Sequence, residues 1–206
     1  MREKGSLDAM GKLQHSMKRA FDIVGALIGL TLCSPLFLVI SILITYQSNG
    51  PIFFRQIRIG YKGRPFAIFK FRTMSSIVEE EGPQLVAKCD SSNSTRLEQF
   101  LRGHHLDELP QLWNVLRGDM SFVGPRPERK YFIDKILRHT DRYQLIYEMK
   151  PGLTSEATLY NGYTDTMEKM LKRMEMDIHY LEHRTLWLDF TIIVKTVVNI
   201  LTGKKF

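Results

Sequence analysis

The run from Ala20 to Tyr46 constrains this chain more than any other stretch. It reads AFDIVGALIGLTLCSPLFLVISILITY, and Asp22 is its only charge. That exceeds the roughly 20 apolar residues that cross a bilayer. A cleaved leader fits poorly, because the apolar region is too long and no small-residue cleavage site follows it. Three readings remain: one spanning helix, a re-entrant hairpin that enters and leaves by the same face, and a buried core helix. Ser34–Pro35 falls near the middle of the run. Proline removes one helical hydrogen bond and pushes the residue before it away from helical geometry, so a break is permitted there, although kinked spanning helices also exist. Lys12, Lys18 and Arg19 precede the run, and Arg55, Arg58, Lys62, Arg64, Lys70 and Arg72 follow it, with no acid between Pro51 and Arg72. Basic flanks mark the cytoplasmic side, and two of them favour both ends lying there. The chain then divides into an amino-terminal arm (1–16, polar and loose), a membrane segment (17–47) and a cytosolic, membrane-associated domain (48–206).

Within that domain, alternation on either side of Gly60–Tyr61–Lys62–Gly63 predicts a short β-hairpin. Its basic residues suit anionic headgroups, or else Lys70 and Arg72 serve a substrate. Residues 75–94, with Glu79–Glu80–Glu81 and Gly82–Pro83, predict an exposed, mobile loop. Thr95 and Glu98 form a capping-box pattern for a helix ending near Arg102. Further helices are predicted from Pro127 to about His139, from an Asp141 cap, and from Thr164–Asp165 onward. In the last of these Met167, Met170, Leu171, Met174, Ile178 and Leu181 read as a core stripe. Leu186 to Leu201 repeats apolar residues on one wide face, interrupted by Asp189 and Lys195, and predicts a helix lying along a membrane surface with Trp187 at headgroup depth. The fold class is therefore α+β and mostly helical.

Between these elements lies LRGHHLDELPQLWNVLRGDMSFVGPRP, Leu101 to Pro127. Pro110 is tolerated only in a helix's first turn, so Asp107 and Glu108 belong at or near a helix N-terminus, in a helix running to Gly118. First-turn acids are common. These two, however, have Arg102 before them, Arg117 beyond them and Arg126 clamped between prolines. Such a set suits an anionic substrate and a divalent cation. The net charge of +7 also favours anionic partners. The basic residues cluster beside the apolar run and form no recognition-helix stripe, which argues against nucleic acid. Cys33 and Cys89 have no metal spacing, His104–His105 is too lone a pair for a metal site, and a reducing compartment fits. No P-loop, Rossmann glycine pattern, zinc spacing or internal repeat is present.

Several motifs in order resemble the monotopic phosphoglycosyl transferases, a family of bacterial sugar transferases. They are Lys18–Arg19 with Phe21–Asp22, Ser34–Pro35, Gly50–Pro51 with Phe54 and Gln56, and Lys70–Phe71–Arg72–Thr73–Met74. They continue through Leu106 to Val115, Arg117 to Ser121, Val123–Gly124–Pro125–Arg126–Pro127 and Pro151–Gly152–Leu153–Thr154. Without extra amino-terminal spanning helices, the chain resembles the minimal form. The resemblance implies transfer of a sugar-1-phosphate from a UDP-sugar to undecaprenyl phosphate, with UMP released, to initiate glycoconjugate synthesis at the cytoplasmic face of a bacterial inner membrane. It implies that Asp107 is the nucleophile of a ping-pong reaction, that Glu108 assists transfer to the lipid phosphate, and that Mg²⁺ is the cofactor, near Asp107. Arg102 and Arg126 match basic positions of the family, with Lys70 and Arg72 as further phosphate-binding candidates. The re-entrant hairpin broken at Ser34–Pro35 is also a family feature. Homo-oligomers and downstream glycosyltransferases are the partners it leaves room for. One departure is His105, where members often carry Ser or Thr, so no hydroxyl caps the acid turn. A non-catalytic membrane-surface scaffold of the same fold would be expected to lose an acid or Arg126, and this chain keeps all three.

Overall fold

The structure is a computed structural model and describes residues 7–47, 50–73, 95–162, 164 and 166–202 of the 206. The predicted loop over 75–94 and the Asp165 helix start lie outside the described residues.

The apolar run is carried by α1, Lys12–Gln47, which is the one described helix long and apolar enough to cross a membrane. It begins at Lys12, inside the stretch read as an arm. The described part of that arm is docked and not loose. Ala9 N–H donates to Leu181 O at 3.0 Å, Arg184 Nε donates to Asp8 at 2.8 Å, and Met10 is buried.

Pro35 lies inside α1. Its missing N–H would leave the Thr31 carbonyl without its helical donor. Ser34 Oγ donates to Thr31 O at 2.8 Å and supplies the bond from the side chain. The polypeptide on both sides of Pro35 packs on the same domain. Ala26 joins a core cluster with Ile68, Val115 and Met120. Ile40 and Ile44 join another with Phe71 and Leu101. The stretch between is largely exposed, including Leu32, Ser34, Pro35 and Leu36.

The root of α1 is fastened by polar contacts. Lys18 Nζ donates to Val123 O at 3.0 Å and pairs with Asp189. Arg19 donates to the carbonyls of Val115 and Leu116 at 2.6 and 2.7 Å, satisfying the last turn of α3 (Gln111–Arg117). Asp22 accepts from Ser121 Oγ and Phe122 N–H, both at 3.0 Å.

The predicted hairpin forms. β1 (Phe53–Ile59) pairs antiparallel with β2 (Pro65–Phe71), Phe54 opposite Lys70 and Gln56 opposite Ile68, through a tight turn at Tyr61–Gly63. α2 (Arg96–Gly103) starts with the predicted Thr95–Glu98 capping box. α3 comes next, then β3 (Ser121–Val123), which pairs in parallel with β4 (Gly152–Thr154). Between the two strands, α4 (Lys130–Leu137) starts later than predicted from Pro127. The Glu128 backbone is instead engaged as an extended bridge to Ile59. The turn at Asp141–Glu148 is capped by Thr140 and not by Asp141. α5 (Glu156–Asn161), α6 (Met167–His183) and α7 (Leu186–Leu201) close the chain, capped by Ser155, Thr166 and Thr185.

The largest core forms between α4, the Asp141–Glu148 turn, α6 and α7. It contains Ile133, Ile136, Ile146, Met170, Met174, Ile178 and Ile192, so the methionine stripe is core as predicted. α7 buries Ile192 and Asp189, yet leaves Trp187, Phe190, Val194, Val197 and Val198 exposed on its other face.

Candidate active site

Asp107 and Glu108 do not sit in the first turn of α3. They occupy a separate 3₁₀ turn, Leu106–Glu108, with Pro110 as the residue that caps α3. His105 enters that turn with φ of 55° and caps it with no side-chain bond, as expected where no hydroxyl is present. The turn is seated against β2 by Asn114 of α3, which is wholly buried. Asn114 Nδ2 donates to Ala67 O at 2.7 Å and its Oδ1 accepts from Phe69 N–H at 3.1 Å. One amide side chain thus grips the strand edge on either side of Ile68 and fixes Lys70 relative to the acids.

Lys70 Nζ donates to Glu108 Oε1 at 2.5 Å, and Arg126 Nη2 donates to the same oxygen at 3.0 Å. Arg126 stands on a turn whose start is tied to β4. Gly124 N–H donates to Thr154 O at 3.0 Å and Gly152 N–H donates to Pro125 O at 2.9 Å. The two backbones approach so closely that a Cβ on Gly124 would lie 2.2 Å from Lys150 O. The motif Val123–Gly124–Pro125–Arg126–Pro127 therefore needs its glycine for strand approach and its prolines for stiffness.

The two carboxyls are electrostatically unlike. Burial pushes Asp107 up to about 6, opposed by the charge of Lys70 and reinforced by that of Glu108. Burial acts on Glu108 in the same sense, but Lys70 and Arg126 overcome it and hold that carboxyl well below the usual range. Arg126 is in turn raised, chiefly by Glu108. Glu108 is therefore a fixed anion locked to two cations. Asp107 is a buried acid that can be neutral or ionised near neutral pH, the property expected of a reactive carboxyl. His105 is lowered by burial and is not a standing cation here.

Of the predicted site residues, the structure brings Asp107, Glu108, Lys70 and Arg126 together. Arg102 closes α2 and is half-buried. The Arg72 guanidinium lies beside Gly50, where a Cβ would stand 2.0 Å from Nη1. Among the described residues, neither arginine is among the charges that act most on the two acids. Ser34 and Pro35 are exposed in α1. For a cation, no group of three or more His, Cys, Asp or Glu exists among the described residues. The site can still suit Mg²⁺, which takes one or two carboxylates and completes its shell with substrate phosphates and water. Glu108 is engaged by two cations, so Asp107 is the carboxylate available to it.

Sequence reasoning missed Arg58 and Glu128 as neighbours of Arg126, and Arg173 behind them. A signal was present, since strand alternation sets Phe54, Gln56 and Arg58 on one side of β1, and Phe54 lies opposite Lys70.

A model of the bacterial sugar transferase family matches residues 13–203. Over 187 residues the chain is 40% identical to a UDP-N-acetylgalactosamine-undecaprenyl-phosphate N-acetylgalactosaminephosphotransferase of Aeromonas hydrophila, covering 91% of this chain and 44% of that one. It is 41% identical over 182 residues to a UDP-glucose:undecaprenyl-phosphate glucose-1-phosphate transferase of Klebsiella pneumoniae, covering 87% of this chain and 39% of the relative. To a protein of the same description from Caulobacter vibrioides it is 42% identical over 188 residues, 90% of this chain and 70% of the other. The chain thus spans less than half the length of the first two relatives.

Proposed function

This chain belongs to the bacterial sugar transferase family, and from that premise we propose that it transfers a sugar-1-phosphate from a UDP-sugar to undecaprenyl phosphate, releasing UMP. The observation that carries the reading is the unlike acid pair: a buried Asp107 with a raised pKa beside a Glu108 locked by Lys70 and Arg126. Relatives named for this transfer support it.

In this reading the ionised Asp107 carboxylate attacks the phosphorus that bears the sugar. The P–O bond to UMP breaks, and an aspartyl-phosphosugar forms. The acceptor's phosphate oxygen then attacks the same phosphorus and frees the Asp107 carboxylate. Lys70 and Arg126 offset negative charge that develops on the phosphoryl oxygens and on departing UMP. Glu108 holds those two cations in place in the first half-reaction and supports the lipid phosphate's approach in the second. Asp107 would hold Mg²⁺, which would supply charge that polarises the phosphoryl oxygens. Arg102 and Arg72 remain, in this proposal, further candidates for the substrate's phosphates.

The topology belongs to the same proposal. Residues 17–47 form a re-entrant hairpin bent at Ser34–Pro35, and residues 48–206 form a catalytic domain on the cytoplasmic face of the inner membrane. Support comes from both halves of α1 packing on one domain while the stretch around Pro35 stays exposed. The exposed face of α7, with Trp187 and Phe190, then lies along the lipid surface.

The test is UMP release by the purified chain in lipid nanodiscs, against a panel of UDP-sugars with undecaprenyl phosphate. One UDP-sugar is expected to support acceptor-dependent release of UMP. Absence of release across the panel would sink the reading.

A further inference from the structure

Behind Arg126 lies a buried charge cluster that the reaction scheme does not use. Glu128 and Arg173 are buried, 8% and 7% exposed. Arg173 Nη2 donates to Glu128 Oε1, and its Nη1 donates to Thr164 Oγ1 at 2.7 Å. On the other side Arg58 Nη1 lies 3.6 Å from Glu128 Oε2. The same nitrogen donates to Pro127 O at 3.3 Å, and Arg58 Nη2 donates to Gln56 Oε1 at 2.6 Å. Ile59 N–H donates to Glu128 O at 3.0 Å. Two arginines from different elements, β1 and α6, therefore close on one carboxylate two residues after Arg126.

The electrostatics make that carboxylate necessary. Arg58 is lowered to about 10, first by burial and then, against the help of Glu128, by the like charges of Arg126 and Arg129. Among the described residues its Nε is buried with no hydrogen-bond partner. Such an arginine is costly to hold and repels Arg126. Glu128 opposes both effects, because it attracts Arg58 and is also among the charges that stabilise protonated Arg126. Among the described residues, Asp177 on α6 and Tyr143 also feel Glu128 and Arg173, with Glu156 and Tyr147 acting on them in turn.

We propose that Glu128, clamped between Arg58 and Arg173, is a positioning residue that holds Arg126 on Glu108 by neutralising Arg58 and pinning the Pro125–Arg126–Pro127 turn. The clamp joins both cations of Glu108 in one frame. Arg58 extends from the strand paired with the one that bears Lys70, so a shift of the hairpin is resisted at both contacts.

A double-mutant cycle in the full chain in nanodiscs tests this. Its kinetic half rests on the phosphoglycosyl transferase reading. Glu128→Gln keeps the shape and removes the charge, and is expected to lower kcat/KM for UMP release by about tenfold or more, a coupling typical of one network. Glu128→Asp should restore most of it. In an Arg126→Lys background the same Glu128→Gln change should cost less than about threefold, because the geometry it protects is already lost. Equal losses in both backgrounds would assign Glu128 to general stability and overturn the proposal. Should Glu128→Gln not fold, Arg58→Lys, which lacks the fork that reaches Gln56, Pro127 and Glu128 together, takes its place with the same expected dependence on Arg126. A second measurement needs no substrate, namely ¹⁵N relaxation of the Arg126 side chain. Loss of its order in Glu128→Gln supports the clamp, and unchanged order overturns it, even for a chain that releases no UMP.

Discussion

The seam at the root of α1 and the turn at Leu106–Glu108 both place carboxylates out of water, and they differ in one acid, Asp107. At the seam each acid meets dedicated donors. Asp22 receives a hydroxyl and a backbone amide, and Asp189 receives Lys18 and the Tyr180 hydroxyl. At the turn, Glu108 takes Lys70 and Arg126. Among the described residues no neighbouring side chain donates to Asp107, and the help it has is the more distant charge of Lys70, then that of Arg126, and its own backbone amide. Fully satisfied acids hold structure, while an acid left short of partners keeps free energy that a substrate or cation can release.

The comparison breaks most sharply at Asp107. Asp107→Asn is expected to abolish covalent labelling by a phosphate-labelled UDP-sugar and to lower UMP release on the order of a thousandfold or more. Its stability should hold or rise. A carboxyl whose folded pKa is raised from 3.8 to about 6 contributes to stability at low pH and loses that contribution as pH rises through about 6. At neutral pH the charged form is thus the strained one, and removing it relieves the fold. The same titration makes labelling of the wild type fall about tenfold per pH unit below about 6. Glu108→Gln should slow turnover severely yet still accumulate some labelled enzyme. Full labelling of Asp107→Asn would transfer the nucleophile's role elsewhere.

Asp189 is the opposite case, with a smaller expected effect. Asp189→Ala strands Lys18 in a buried place, which typically costs about 3 kcal/mol or more. Denaturant unfolding in detergent should show that loss, with labelling per folded molecule unchanged. A loss below about 1 kcal/mol would place Asp189 in the same class as Asp107, and the distinction drawn from partner count would fail.

The same contrast explains what could be read from the chain beforehand. The apolar run, the hairpin, the capping box at Thr95 and the methionine stripe are local patterns whose period or spacing is written in neighbouring residues, and each forms. Pro110 and the two prolines around Arg126 marked where helices could start or turn, so the acid pair's place beside the start of α3 was legible, but not the separate turn that carries it. The seam was not legible, since Lys18 meets Asp189 across 171 residues and Asp22 meets Ser121 across 99, and nothing local pairs them. For the same reason Asp189 read as an interruption of an apolar face, and Glu128 as part of a helix starting at Pro127, when its backbone is in fact held by Ile59.

The smallest effect concerns the exposed middle of α1. Ser34 Oγ donates to the carbonyl that Pro35 deprives of a donor, so the two residues are a matched pair. Ser34→Ala should cost about 1 kcal/mol in a bilayer or micelle, where no water replaces the bond cheaply. In a Pro35→Ala background the restored N–H can serve Thr31 O, so the same Ser34→Ala change should cost almost nothing. An equal cost in both backgrounds would mean that the hydroxyl serves another partner. Topology sharpens the result. With native cysteines replaced, Leu13→Cys and Lys130→Cys both lie at exposed positions, and a re-entrant helix should shield both from a membrane-impermeant thiol reagent added to intact cells. Labelling of Leu13→Cys alone would make α1 a spanning helix. Pro35→Ala should favour straightening. A spanning arrangement would, however, forfeit the packing of Ile40 and Ile44 on Phe71 and Leu101. Shielding should therefore persist in Pro35→Ala, because the second half of α1 keeps its packing on Phe71 and Leu101.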